Sequence, residues 1–437
     1  MLLEAGENMA ITTSKDLRNM IMYSVYVRNH SKEGTFQALE KDLDRIRSLG
    51  ADIIWLLPIH PIGEVKRKGI LGSPYANKDY RAINPELGTL ADFKSLVRAI
   101  HARGMKCIID IVYNHTSPDS WLAKNHPEWF YKKEDGNFGN KIGEWYDIID
   151  LDFNKPALWD YLIDTMKIWA DIVDGFRCDV APLIPLEFWL RARREVAEIN
   201  PDCIWLAESV EPAFTLDNRS RGMVSLSDSE LYQAFDICYD YDIFNDFVDY
   251  LEGKSTLEFY AKMINMQEHI YPDNYVKLRF LENHDRPRAK FIIPDEISLR
   301  NWTAFNYFQK GMTLLYAGQE TGNVFRPSLF DEDKVDWNTG TDLSAFLFKL
   351  YQMKKNPLFA ESNYQVSTPG NDIIIASHTG IGKKLVGVFS GKGRASISRI
   401  DVPEGTYTNL IDGSEVRVEG GLLSCKGEPV VIEVVLQ

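Results

Sequence analysis

Eight apolar runs, at residues 21–28, 52–59, 106–114, 175–181, 203–209, 234–241, 277–285 and 312–320, alternate with segments of helical period. Strand and helix alternating eight times predict an α/β fold in which a parallel sheet closes into a (β/α)8 TIM barrel with helices outside. An open doubly wound sheet would use the same alternation, but no glycine-rich phosphate loop follows the first run. The connecting segments have helix ends in the right places. Leu39, Leu43, Ile46 and Leu49 share one face before Gly50 stops the turn. Thr89 and Asp92 form a capping-box start to a helix whose apolar Leu90, Phe93, Leu96, Val97 and Ile100 run to Gly104.

A chain of 437 residues exceeds the usual size of one core, so a large domain with smaller additions is expected. Residues 115–154 interrupt the alternation after the third run. They are rich in Gly, Asn, Asp and aromatic residues, among them Trp121, Trp129, Phe138 and Trp145. They read as a short subdomain inserted at the C-terminal rim, where barrel enzymes keep their sites. After Pro357 the pattern changes to short runs at 373–377, 384–389, 397–402, 415–418 and 429–435, separated by turn residues such as Asp412-Gly413 and Gly420-Gly421. This predicts an antiparallel β domain. The expected division is a barrel over 1–114 and 155–357, an insert over 115–154, and a C-terminal β-sandwich over 358–437.

The net charge of -14 argues against nucleic acid and anionic membrane as partners and suits a neutral substrate. The five cysteines show no CxxC spacing and four lie in apolar runs, which reads as buried thiols in a reducing compartment. Residues 1–16 carry Glu4, Glu7 and Asp16 without an apolar core or cleavage-like site, and no stretch approaches a membrane span. A cytoplasmic location is expected.

The chemistry centres on Gly175-Phe176-Arg177-Cys178-Asp179-Val180-Ala181. On a strand, Arg177 and Asp179 point to the same face. A guanidinium there favours an ionised carboxylate, as a nucleophile requires, although a buried Arg–Asp pair could equally brace a barrel interior. Other strand ends are polar too: Asp110 to His115, Glu208, and Glu282-Asn283-His284-Asp285. So many charged groups at one end of a barrel are costly to bury without a purpose.

Asp110-Ile-Val-Tyr-Asn114-His115, Gly175-Phe-Arg177-Cys-Asp179, Trp205-Leu-Ala-Glu208 and Glu282-Asn-His284-Asp285 together resemble the four ordered signature motifs of the α-amylase family, glycoside hydrolase family thirteen. Ser73-Pro74-Tyr75 to Asp79-Tyr80 resembles the family's tyrosine-bearing loop, and Asp150-Leu-Asp152-Phe-Asn154-Lys-Pro156 its fifth motif. The resemblance covers nearly the whole chain. It implies retaining cleavage of an α-glucosidic bond in an α-glucan or maltooligosaccharide, with Asp179 as nucleophile, Glu208 as acid and base, and Asp285 gripping the sugar hydroxyls. It further implies substrate contacts from Tyr75, Asp79, His115, Arg177 and His284. No cofactor is needed for the chemistry.

Asn114 and Asp150 match positions where calcium-binding members place oxygen ligands, so a structural calcium is an expectation of the resemblance; the bland alternative is that the two only hydrogen-bond the loop. One departure stands out, because Pro182-Leu183 occupy the place of a Lys-His pair often found after the nucleophile. Transfer to a sugar acceptor by a 4-α-glucanotransferase and exo action by an α-glucosidase are rivals using the same site. A catalytically silent binding subunit is disfavoured, since all three carboxylates are present.

Overall fold

The computed structural model describes residues 12–143 and 145–436. Most of the segment in which no leader was read, residues 1–11, lies outside the described residues. In chain order the strands begin with β1 (Ile21–Val25), β2 (Ile53–Leu56) and β3 (Lys106–Ile111), continue through β4 (His115–Thr116) and β5 (Ile149–Asp150), and then run β6 (Gly175–Cys178), β7 (Ile204–Ala207), β8 (Ile237–Tyr239), β9 (Val276–Arg279) and β10 (Met312–Tyr316). Apart from β4 and β5, these form a closed parallel barrel in sequence order, completed by β10 against β1 with Ile21 opposite Thr313. Each expected run supplies one strand, but the strands stop short. β3 ends at Ile111, β6 at Cys178, β7 at Ala207 and β9 at Arg279, before the polar residues that close each run. Those residues turn out of the ladder onto the rim.

Local chemistry explains the helices. The capping box between Thr89 and Asp92 is formed, and Phe93, Leu96, Val97 and Ile100 are buried, while Leu90 is 46% exposed and stands outside the apolar stripe. Leu39, Leu43, Ile46 and Leu49 are all fully buried, but they fall on two short helices, Phe36–Glu40 and Leu43–Ser48, with Leu49 capping the second. The break falls where Asp42 takes Arg45 and His30 as partners. Pro156 opens a long helix, Pro156–Ala170, at the position where a missing N–H costs nothing. Gly50 and Gly104 end their segments at positive φ.

The insert is held by the antiparallel pair β4 and β5, with His115 opposite Asp150. Beyond Pro357, β11 (Asn363–Gly370), β12 (Ile373–Thr379), β13 (Lys383–Ser390) and β18 (Val430–Val435) form one antiparallel sheet. A second contains β14 (Ser396–Arg399), β15 (Gly405–Thr408), β16 (Glu415–Glu419) and β17 (Leu422–Cys425). β11, β15 and β17 were not foreseen: β11 and β15 carry few apolar residues, and β17, though apolar, is only four residues long. Alternation along β13 divides its labour: Leu385 and Phe389 join the barrel's core, whereas Val386 and Val388 face Ile400, Val418 and Leu423 of the second sheet.

Candidate active site

The site grows from one guanidinium. Asp110 on β3 is in register with Arg177 on β6, and the two side chains meet at 2.8 Å. The same Nη1 lies 2.8 Å from Asp179 Oδ1, and Nη2 stands 2.9 Å from Glu208 Oε1. Arg177 is wholly buried, with the rings of Trp55, Tyr75 and Tyr239 each within 5.5 Å of its charge centre. These aromatic faces keep water from a cation that three carboxylates share.

Val180 ties the nucleophile's chain to Glu208. Its φ of 35° is left-handed, a strained conformation for a β-branched residue, and it aims the Val180 N–H at Glu208 Oε2 at 2.7 Å. Sequence offered no sign of this. Behind the carboxylates, Tyr75 Oη donates to Asp110 Oδ2 at 3.0 Å and lies 2.7 Å from His284 Nε2. His284 Nε2 is 3.1 Å from Asp285 Oδ2. Asn283 shapes the turn that presents Asp285, since its Oδ1 accepts from the N–H groups of Asp285 and Arg286. Glu282 is not part of this site; it is buried and paired to Arg288 at 2.6 Å.

Asp179, Glu208, Asp285, Tyr75 and His115 line one cavity of about 290 Å³ with Lys68, Trp145, Asp147 and Phe330. Arg177 and His284 stand behind it. Asp79 is not brought there. Its Oδ1 accepts from Arg81 N at 2.9 Å, and it lies near Tyr80 and Trp121 in a separate recess, because the turn at Ser73 to Asn77 carries the chain away after Tyr75. Asp110 is the functional residue that sequence reasoning quoted without a role; its signal was an acidic residue inside an otherwise apolar strand.

Burial is the largest influence on each carboxyl. It raises Glu208 to about 8, against Arg177 and with help from Asp179 and Asp285. It likewise raises Asp110 and Asp179 to about 7, again against Arg177. This reverses the expectation that Arg177 alone would hold Asp179 low: one cation cannot neutralise three carboxylates in a dry site, so the cluster keeps a proton near neutrality. Burial lowers His284 to about 4 and also lowers His115, so both imidazoles are neutral at pH 7.

Residues 18–356 match the model of the alpha amylase catalytic domain, and residues 365–432 match that of the bacterial alpha amylase C-terminal domain. The chain belongs to the alpha-amylase family. Among solved structures, an alpha-amylase from Lactobacillus plantarum is 48% identical and superposes with a TM-score of 0.95 over 97% of this chain and 100% of that one. The noncanonic maltogenic alpha-amylase AmyB of Thermotoga neapolitana is 33% identical, with a TM-score of 0.86 over 97% and 100% of the two chains. An alpha-1,4-glucan:maltose-1-phosphate maltosyltransferase of Picrophilus torridus is 33% identical over 206 residues, 42% of this chain and 32% of that protein. The chain thus spans about a third of the length of the maltosyltransferase it matches.

Calcium-binding members of the alpha-amylase family set the test for Asn114 and Asp150. Here Asp150 Oδ2 accepts from Lys141 N at 2.7 Å, and the Asn114 amide nitrogen is directed at His115 Nδ1 (3.1 Å) and Asp150 Oδ1 (3.5 Å). Among the described residues no three His, Cys, Asp or Glu side chains converge on a metal-sized site. Both side chains are thus engaged in bracing the loop, and no step of the chemistry is routed through a metal. All five cysteines are buried and unpaired. Among the described residues no helix is long and apolar enough to cross a membrane.

Proposed function

We propose that this protein cleaves α-glucosidic bonds in starch-type α-glucans or maltooligosaccharides with retention of configuration. The observation that carries the reading is the pairing of Asp179 and Glu208 on opposite nitrogens of one buried guanidinium, with Asp285 facing the same cavity. Retention needs two carboxyls close together, about 5–5.5 Å apart, one to attack and one to hold a proton. An Asp179 oxygen attacks the anomeric carbon as the bond to the glycosidic oxygen breaks, and that oxygen takes the proton from Glu208. Glu208, now a carboxylate, removes a proton from water; the water oxygen bonds to the anomeric carbon and Asp179 leaves. Its raised pKa suits Glu208 to begin protonated. Asp285 and His115 bind hydroxyls of the distorted ring, Tyr75 packs beneath it, and Arg177 and His284 act from behind by holding Asp179, Glu208 and Tyr75 in place.

Interception of the glycosyl-enzyme by a sugar in place of water would make the protein a 4-α-glucanotransferase, a reading that the maltosyltransferase relatives favour. The buried unpaired thiols support a cytoplasmic location. Incubation with maltoheptaose separates the outcomes: only shorter products mean hydrolysis, whereas chains longer than seven units mean transfer. Asp179→Asn is expected to abolish turnover with an unchanged circular dichroism spectrum. A 2-fluoro glucosyl inactivator is expected to add its mass to the peptide containing Asp179, and labelling of another peptide would overturn the assignment.

A further inference from the structure

One end of the catalytic cavity is walled by three segments that are distant in sequence. Lys68, in the loop after β2, forms an ion pair with Asp147 of the insert at 3.0 Å, and the Asp147 side chain is only 3% exposed. The Lys68 ammonium also lies over the rings of Tyr146, at 5.3 Å, and Phe330, in the loop after β10, at 5.8 Å. Two backbone N–H groups stitch the same loops together: Leu71 N donates to Phe330 O at 2.9 Å and Ile70 N to the Asp331 carboxylate Oδ1 at 2.8 Å. Gly69 permits the contact. Its φ is +61°, and a Cβ there would stand 2.7 Å from both Phe330 Cβ and Phe330 O. An ion pair with a buried carboxylate, one backbone–backbone bond, one backbone-to-carboxylate bond and a glycine-only approach make this a built wall and not a chance meeting of rim loops.

The wall's position relative to the reacting groups gives it a consequence. The leaving group departs on the side of Glu208, because the acid must reach the glycosidic oxygen. The charges of Lys68 and Asp147 both act on His115, whose ring packs 5.8 Å from that of Trp145. On the mechanism proposed above, His115 and Tyr75 contact the sugar that becomes attached to Asp179, which puts the wall on the glycone side of that sugar. The cavity holds about 290 Å³, just below the roughly 300–1,000 Å³ common for small-ligand pockets.

We infer that the Lys68–Asp147 pair closes the glycone end of the cavity, so that the enzyme works from the non-reducing ends of α-glucan chains and does not admit chain interiors. The ammonium and carboxylate offer hydrogen bonds to the terminal sugar's free hydroxyls while leaving no path for a further ring. This rests on the glycosidase reading above and narrows its substrate class to chain ends.

The test compares p-nitrophenyl maltoheptaoside bearing a free non-reducing end with the same compound blocked there by a 4,6-O-ethylidene group, products being followed by mass spectrometry. The wild-type enzyme is expected to cleave the blocked compound roughly tenfold or more slowly than the free one, a discrimination within reach of steric exclusion. The Lys68→Ala/Asp147→Ala double variant is expected to raise the ratio of blocked to free cleavage severalfold. Equal wild-type rates on the two compounds would overturn the inference, whether or not the double variant folds. A wall without consequence would also be exposed by a folded double variant whose ratio matches wild type. Failure to cleave either compound would instead strike the glycosidase reading itself, and this inference with it.

Discussion

Replacing Glu208 by Gln is expected to destroy activity while stabilising the fold at neutral pH. A glutamate ionises near pH 4.5 in the unfolded chain, whereas burial in this site raises it to about 8. A carboxyl whose folded pKa lies above its unfolded one contributes most stability below pH 4.5, and that contribution drains away as the pH rises toward 8. At pH 7 the unfolded state has gained two and a half pH units of ionisation that the folded state has not. At 1.36 kcal/mol per unit this is about 3 kcal/mol lost to the wild type. Gln has nearly the same shape and cannot ionise in either state, so the variant escapes the loss, at the cost of turning its amide nitrogen toward Arg177 or the Val180 N–H at every pH. With an unfolding entropy of about 2.1 cal/mol/K per residue, a chain of 437 residues should melt about 3 °C higher at pH 7.

Thermal melts of both proteins at pH 4 and pH 7 check this. The gain is expected to vanish at pH 4, where glutamate is protonated folded and unfolded alike. A Gln variant that loses ground to wild type between pH 4 and pH 7 would refute the reasoning, since Glu208 would then be an ionised brace for Arg177 and could not supply a proton. The same pKa sets the rate profile: kcat/KM of the wild type should fall as the pH rises through about 8, where Glu208 loses its proton.

Tyr75→Phe keeps the ring under the sugar but deprives buried Asp110 of a donor and His284 of a partner; kcat/KM is expected to fall by roughly tenfold or more, from about 1–3 kcal/mol of lost satisfaction, with KM little changed. Titration with a calcium chelator is expected to leave the melting temperature unmoved, because Asp150 is held by Lys141 N–H and Asn114; a drop of several degrees reversed by calcium would show that these two residues do bind the ion.

The barrel was legible because its strands are defined by burial, and burial writes itself into the chain as unbroken apolar runs. The reacting carboxylates were legible for the converse reason: Asp179, Glu208 and Asp285 are polar residues placed where such runs stop, and the structure leaves all three just beyond β6, β7 and β9. What periodicity cannot report is which distant segments meet. Lys68, Asp147 and Phe330 lie on three loops, and no local pattern marks them as neighbours. Asp79, four residues from Tyr75, looked like its companion, yet a turn sends it elsewhere.

The proton held by the carboxylate cluster illustrates the difference most sharply. Arg177 and Asp179 are two residues apart, so their contact could be read from the sequence, and taken alone it makes Asp179 a stronger acid. The register between β3 and β6 brings Asp110 to the same guanidinium, and the turn after β7 brings Glu208. Each added carboxylate weakens the hold of Arg177 on the others, and burial then prevails over the remaining attraction. The strand-crossing contacts, invisible in any local window, turn a simple ion pair into a cluster that stores the proton glycosidic cleavage requires.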